Sequence, residues 1–304
     1  MSVDERFEAH IAPLRDSLTR LIDLADATRD AWGHLPAENS LAMGELAREA
    51  THAGPEPWGD DPLQAAHNSS GLLIYAANDC ARAMTDLLRP QRTPVFAHTV
   101  LARSVLELAG RAWWLLDPDV GDRLRVARGM NERIFGLSQQ DRMPLDRAEA
   151  ARARDRRKAL FEVGASLGFQ KVRRNRNSLP MLDEDRPGLT EIIRKLMATG
   201  DDAGLGEFVY GLFSAVAHGT TFGLSNSVTL DAEDIPRTPG ITWGAVYTGS
   251  GEVVIVLCAV VIGWGQAIDR RNKLFGWQSV EWSRAWKEAM DIASRSMVPA
   301  KQRR

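Results

Sequence analysis

Cysteine is nearly absent from this 304-residue chain, which holds only Cys80 and Cys258. Two thiols cannot build a disulfide framework. Both stand in apolar surroundings, which predicts buried thiols in a reducing compartment. Net charge is lacking too: 38 Lys and Arg face 40 Asp and Glu, for −2 overall. The whole molecule is therefore no polycation, and any surface for a polyanion has to be local. Histidine is sparse. The six residues His10, His34, His52, His67, His98 and His218 are too scattered to nominate three metal ligands. No HExxH, no di-iron ExxH pair and no cysteine cluster occurs, so neither a metal nor a cofactor is expected. A P-loop and a glycine fingerprint between strand and helix are missing as well. The opening MSVDERFEAH is acidic and has no apolar signal core, which points to a cytoplasmic protein. The longest apolar run, VVIVLCAVVIGWGQAI from Val253 to Ile268, has 16 residues and contains Gln266 and two glycines. A bilayer span needs about 20, so the run predicts a buried central helix and no membrane partner.

What the chain does have is helical periodicity. Ile11, Leu14, Leu18, Leu21, Ile22 and Ala25 recur at three- and four-residue steps and predict a first helix over 5–29. A short helix is expected near 41–50, followed by a surface loop at HAGPEPWGDDP. Further helices are expected over 63–88, 94–116, 122–137, 145–170, 190–199, 207–218, 252–271 and 279–296. Thr93 and Thr190 read as caps, with Pro94 at the first helical position. Asp231 to Gly240 reads as loop, and the pattern of ITWGAVYT decides nothing. With 44% hydrophobic residues, the expectation is an all-α fold. It is one large bundle of about nine or ten helices. Residues 1–62 form an N-terminal helical segment and loop, 63–296 the main domain and 297–304 a disordered tail.

Two polar lines cross the apolar helices. In HTVLARSVLELAGRAWWLLDP, Arg103, Glu107 and Arg111 follow one another at four-residue steps. They form either a salt-bridge ladder or a site where one guanidinium remains for a carboxylate or phosphate. His98 lies off the strict ladder, near the start of the same helix. In YGLFSAVAHG, Tyr210, Ser214 and His218 lie one turn apart. They form either a satisfied buried network or the wall opposite the arginines. No nucleophile elbow and no orienting acid accompany Ser214, which argues against a hydrolase triad. If chemistry occurs, His218 is the proton-transfer candidate, with Ser214 and Glu107 beside it. Arg103, Arg111, Tyr210 and His98 are the binding candidates.

From Arg147 to Arg176 the chain carries ten Lys or Arg and three acids. This stretch is either a solvated basic face or a contact for RNA phosphates. The nine tryptophans, and Gly263, Gly265 and Gly276, fit close core packing or the wall of a ligand cavity.

The strings ARSVLELAGRAWWLLDP, RPGLTEIIRKL and YGLFSAVAHG, in this order, resemble uncharacterised actinobacterial-type helical proteins, and more distantly the HEPN group. The similarity spans about Ala65 to Gly223. It implies a HEPN-like helical core and association with RNA, with His218 at the position of the HEPN histidine. HEPN ribonucleases place an arginine shortly before that histidine, and GLFSAVA supplies none. The expected function is recognition of an anionic small molecule in a central helical pocket. The alternatives are a divergent HEPN-like RNA-associated protein and a structural or protein-interaction module, and assembly into a homo-oligomer is compatible with each.

Overall fold

The computed structural model describes residues 5, 7–51, 61–90, 93–143, 146–176, 178–198, 204–227, 229–231, 245–247 and 249–297. The protein is all-α. After a π-helical turn at Phe7–Ile11 come α1 (Ala12–Ala31), α2 (Leu41–Thr51), α3 (Pro62–Leu87), α4 (Ala97–Leu115), α5 (Asp122–Arg142) and α6 (Arg147–Ser166). A two-stranded ribbon, β1 (Lys171–Val172) with β2 (Met181–Leu182), leads to α7 (Leu189–Leu196), α8 (Leu205–Ala217) and α9 (Thr221–Asn226). A second antiparallel pair, β3 (Thr229–Asp231) with β4 (Ala245–Tyr247), precedes α10 (Ser250–Phe275) and α11 (Val280–Met297). The expected loops at 52–60 and 232–240, the helix stop at Gly200 and residues 298–304 lie outside the described residues.

The apolar run anticipated as a central helix is α10. It extends to 26 residues, long and apolar enough by length and composition to cross a membrane, yet 78% of its most apolar window is buried within the protein. It packs against α1, α2, α3, α4, α7, α8 and α11. Gly263 and Gly265 serve close packing. A Cβ on Gly265 would stand 2.0 Å from the Trp286 ring, and one on Gly263 would stand 2.5 Å from Leu106. Trp264, Trp277 and Trp282 fill the same core. Cys258 is buried there, and loss of solvent pushes its thiol up to about 12; Cys80 is only partly buried, and both are free.

A smaller core lies between α5, α6 and the first ribbon. It contains Val126, Met130 and Ile134 of α5, Leu160 of α6, and Phe169, Met181 and Leu182.

Several helix ends differ from expectation for local reasons. The Thr93 hydroxyl donates back to the Arg89 carbonyl at 2.8 Å, so it caps nothing, and α4 starts at Ala97. Gly188, in extended conformation, takes the capping position expected for Thr190. Asp146 accepts a hydrogen bond from the Ala148 amide and starts α6 at Arg147. α9 was not anticipated; the Thr220 hydroxyl accepts from the Gly223 amide at 3.1 Å and opens a fresh helix just beyond His218.

Candidate functional site

The two polar lines meet at the seam of α4 and α8. Arg103 Nε lies 2.8 Å from Glu107 Oε1 as an ion pair, off hydrogen-bond alignment. The Tyr210 hydroxyl donates to the same oxygen at 2.9 Å, and the Arg103 guanidinium lies 6.0 Å over the Tyr210 ring. Burial, reinforced by the Glu107 carboxylate, holds the Tyr210 hydroxyl above its ordinary pKa. These three residues satisfy one another.

The other candidates go elsewhere. Arg111 turns to α5 and donates twice to Glu132. His98 is five residues from Arg103, a rotation of about 140° around the helix from it. It is buried in the core, where Nδ1 donates to the Pro94 carbonyl at 2.8 Å and Nε2 has no hydrogen-bond partner among the described residues. Burial lowers its pKa. Ser214 and His218 are joined through the backbone alone, by the His218 amide donating to the Ser214 carbonyl at 3.0 Å. Among the described residues neither side chain has a hydrogen-bond partner, and His218 stands exposed at the end of α8.

The interior holds a charged network that sequence reasoning missed. Arg125 of α5 is 1% exposed. It donates to Glu45 at 2.8 Å and to the carbonyls of Leu115 at 2.7 Å and Asp117 at 2.8 Å. Glu45 also meets His67 at 2.9 Å. Arg128 grips Glu184 through two hydrogen bonds, of 2.7 and 3.0 Å. Glu132 takes Arg111 on one oxygen and Arg186 on the other. Asn131 acts as a substitute strand: its amide nitrogen donates to the Leu182 carbonyl at 3.0 Å, and its oxygen accepts from the Leu182 amide at 2.8 Å. Charges taken out of water have to be paired in this way. The result pins β2 and the following segment to α5.

Against this fixed strand lies a groove of about 630 Å³, between α6 and the ribbon. On α6 it is lined by Arg154, Arg157, Lys158, Phe161, Glu162 and Ala165, the three- and four-residue spacing of one helix face. β1 supplies the opposite rim. Strand alternation sends Val172 into the small core and leaves Lys171 and Arg173 for the groove. The floor is apolar, with Phe161, Leu179, Pro180 and Leu182. Five cations thus surround one lining acid. Arg154 and Arg157 share Asp141 from α5 at 2.6 and 3.4 Å, and Lys158 reaches Glu162 at 3.6 Å. Lys171 Nζ stands 4.5 Å over the Phe161 ring, and Arg173 donates only to the Arg176 carbonyl. Neither of these two has an acidic partner among the described residues.

The arrangement can hold anionic oxygens. The lining contains no histidine, cysteine or serine to act as base or nucleophile. Among the described residues, no group of three His, Cys, Asp or Glu is placed to hold a metal. The basic stretch was legible in the sequence, and its apolar floor was not: Phe161 meets Lys171 ten positions further along, and Leu179, Pro180 and Leu182 lie beyond the basic run. Compared with protein-family models, curated proteins and solved structures, the chain finds no match.

Proposed function

We propose that this protein binds an anionic, phosphate-bearing ligand, and that the groove between α6 and the β1–β2 ribbon is where it does so. The observation that carries this reading is the pair Lys171 and Arg173, exposed in a groove with three further cations and without acidic partners among the described residues. Hydrogen bonds from such cations to phosphate oxygens are charge-assisted and about twice as strong as neutral ones. The α4–α8 seam, where an anionic small molecule was expected, supports the reading less. Its Arg103 is answered by Glu107 and its Arg111 by Glu132.

Charge segregation favours the same site. The stretch 147–176 carries ten basic and three acidic residues, or +7, while the whole chain carries −2, so the other 274 residues carry −9. An incoming polyanion is repelled by most of the molecule and drawn to this end.

The test is affinity for inorganic polyphosphate, measured by calorimetry at low salt. Lys171→Gln with Arg173→Gln is expected to weaken binding about tenfold or more, since each removes a charge-assisted contact. The variant's unfolding midpoint should stay put, as befits two exposed side chains. Equal affinity in the variant, or no binding by the parent protein, overturns the proposal.

A further inference from the structure

We infer that the occupant of the groove is a single-stranded nucleic acid, with its phosphates on the rim cations and one base laid on the apolar floor. The inference rests on the groove being the anion site proposed above.

The floor argues first. Phe161, Leu179, Pro180 and Leu182 offer nothing to a bare phosphate or to the outside of a duplex, whose bases stay stacked on one another. A single strand presents free base faces, and every base has a π-face to set against an aromatic ring beside a cationic track.

The side chain over the ring argues next. Lys171 Nζ stands 4.5 Å above Phe161, exposed and without an acid among the described residues. An ammonium on a flexible four-carbon stem is free to swing away. It would move to a phosphate and leave the ring face to a base.

Finally, the cations run on past the groove. Arg147, Arg154 and Lys158 fall on one face of α6 and are exposed. At about 1.5 Å of rise per residue they span about 16 Å. Arg176, also exposed, lies next to the opposite rim, its carbonyl accepting from the Arg173 guanidinium at 3.3 Å. A ligand of one nucleotide would fill the groove and leave these outer cations unused, whereas a strand of several nucleotides engages both.

The experiment is fluorescence anisotropy with an end-labelled ten-nucleotide uridine strand. The competitors are a duplex of that length, inorganic polyphosphate of matched charge, and uridine monophosphate. The strand is expected to bind about tenfold more tightly than the polyphosphate, in line with one stacked base. Phe161→Leu keeps an apolar side chain under the groove. It should weaken the strand about fivefold or more and leave polyphosphate affinity unchanged. Arg147→Gln should weaken the strand and leave the monophosphate unaffected. Strand and polyphosphate binding equally, with Phe161→Leu silent, overturns the inference while the anion site stands. A duplex as tight as the strand overturns it likewise, and so does a monophosphate that competes as well as the strand at equal concentration. Failure of every anion to bind overturns both readings at once.

Discussion

α5 and α6 are neighbouring, equally arginine-rich helices that put their charges to opposite uses. In α5, eight consecutive residues from Arg125 to Glu132 are buried, and its two buried arginines, Arg125 and Arg128, are spent on carboxylates and carbonyls brought from α2, α4 and the segment after β2. In α6 only Ala150, Ala153, Leu160 and Gly164 are buried, and the cations stay in water. A buried arginine has to be matched, because the cost of an unpaired interior charge is several kcal/mol. An exposed one can remain unmatched at little cost, and that leaves it available. Lys171 and Arg173 are in that position, and the matched network of α5 is what holds their ribbon in place.

Breaking the interior side of the comparison should have the largest effect. Arg125→Ala leaves Glu45 with His67 alone and removes the donor to the Leu115 and Asp117 carbonyls, and is expected to cost about 3–5 kcal/mol of stability in urea unfolding. A loss below about 1 kcal/mol would mean that the interior network is as dispensable as the surface one. Next comes the pH dependence of the main core. Burial depresses the pKa of His98 below its ordinary 6.5. The unfolded chain therefore takes up a proton near that pH while the folded protein resists it, so stability falls as pH drops from about 7.5 to about 5.5. His98→Gln should flatten this dependence; an unchanged slope in the variant would show that the buried imidazole contributes nothing. The smallest effect is at the seam. Tyr210→Phe removes one hydrogen bond to Glu107, worth about 0.5–1.5 kcal/mol, and should leave anion binding untouched. Weakened binding in that variant would return the α4–α8 seam to the list of ligand sites.

Much of the fold was legible because helical periodicity is local. The apolar spacing of α1, α3, α4, α10 and α11 declares each helix within its own sequence. The meeting of Tyr210 with Glu107 was foreshadowed by two polar lines on two apolar helices. The fate of Arg111 was not, since its partner Glu132, which it shares with Arg186, lies 21 positions further along the chain. α5 shows the same limit more sharply. Its helical span was expected but the burial of its charges was not, because the residues that neutralise them, Glu45 and Glu184, belong to distant segments. The local pattern gives little away: Arg125, Arg128 and Glu132 share one face and Val126, Ala127 and Met130 lie opposite, as in any amphipathic helix. The groove was half visible. Its cations stood in the composition of 147–176, while the floor depended on a two-residue strand whose register, Lys171 opposite Leu182, is set by Asn131.

The central claim is that the cations of the α6 groove meet phosphates, and the salt dependence of binding tests it most directly. If the five groove cations and the outer Arg147 and Arg176 all engage a single strand, log affinity against log salt should fall with a slope of about −4.9, near −0.7 per phosphate. In Lys171→Gln with Arg173→Gln the slope should become shallower by about 1.4. A slope that is the same in both proteins would contradict the account, because the anion would then be held somewhere else.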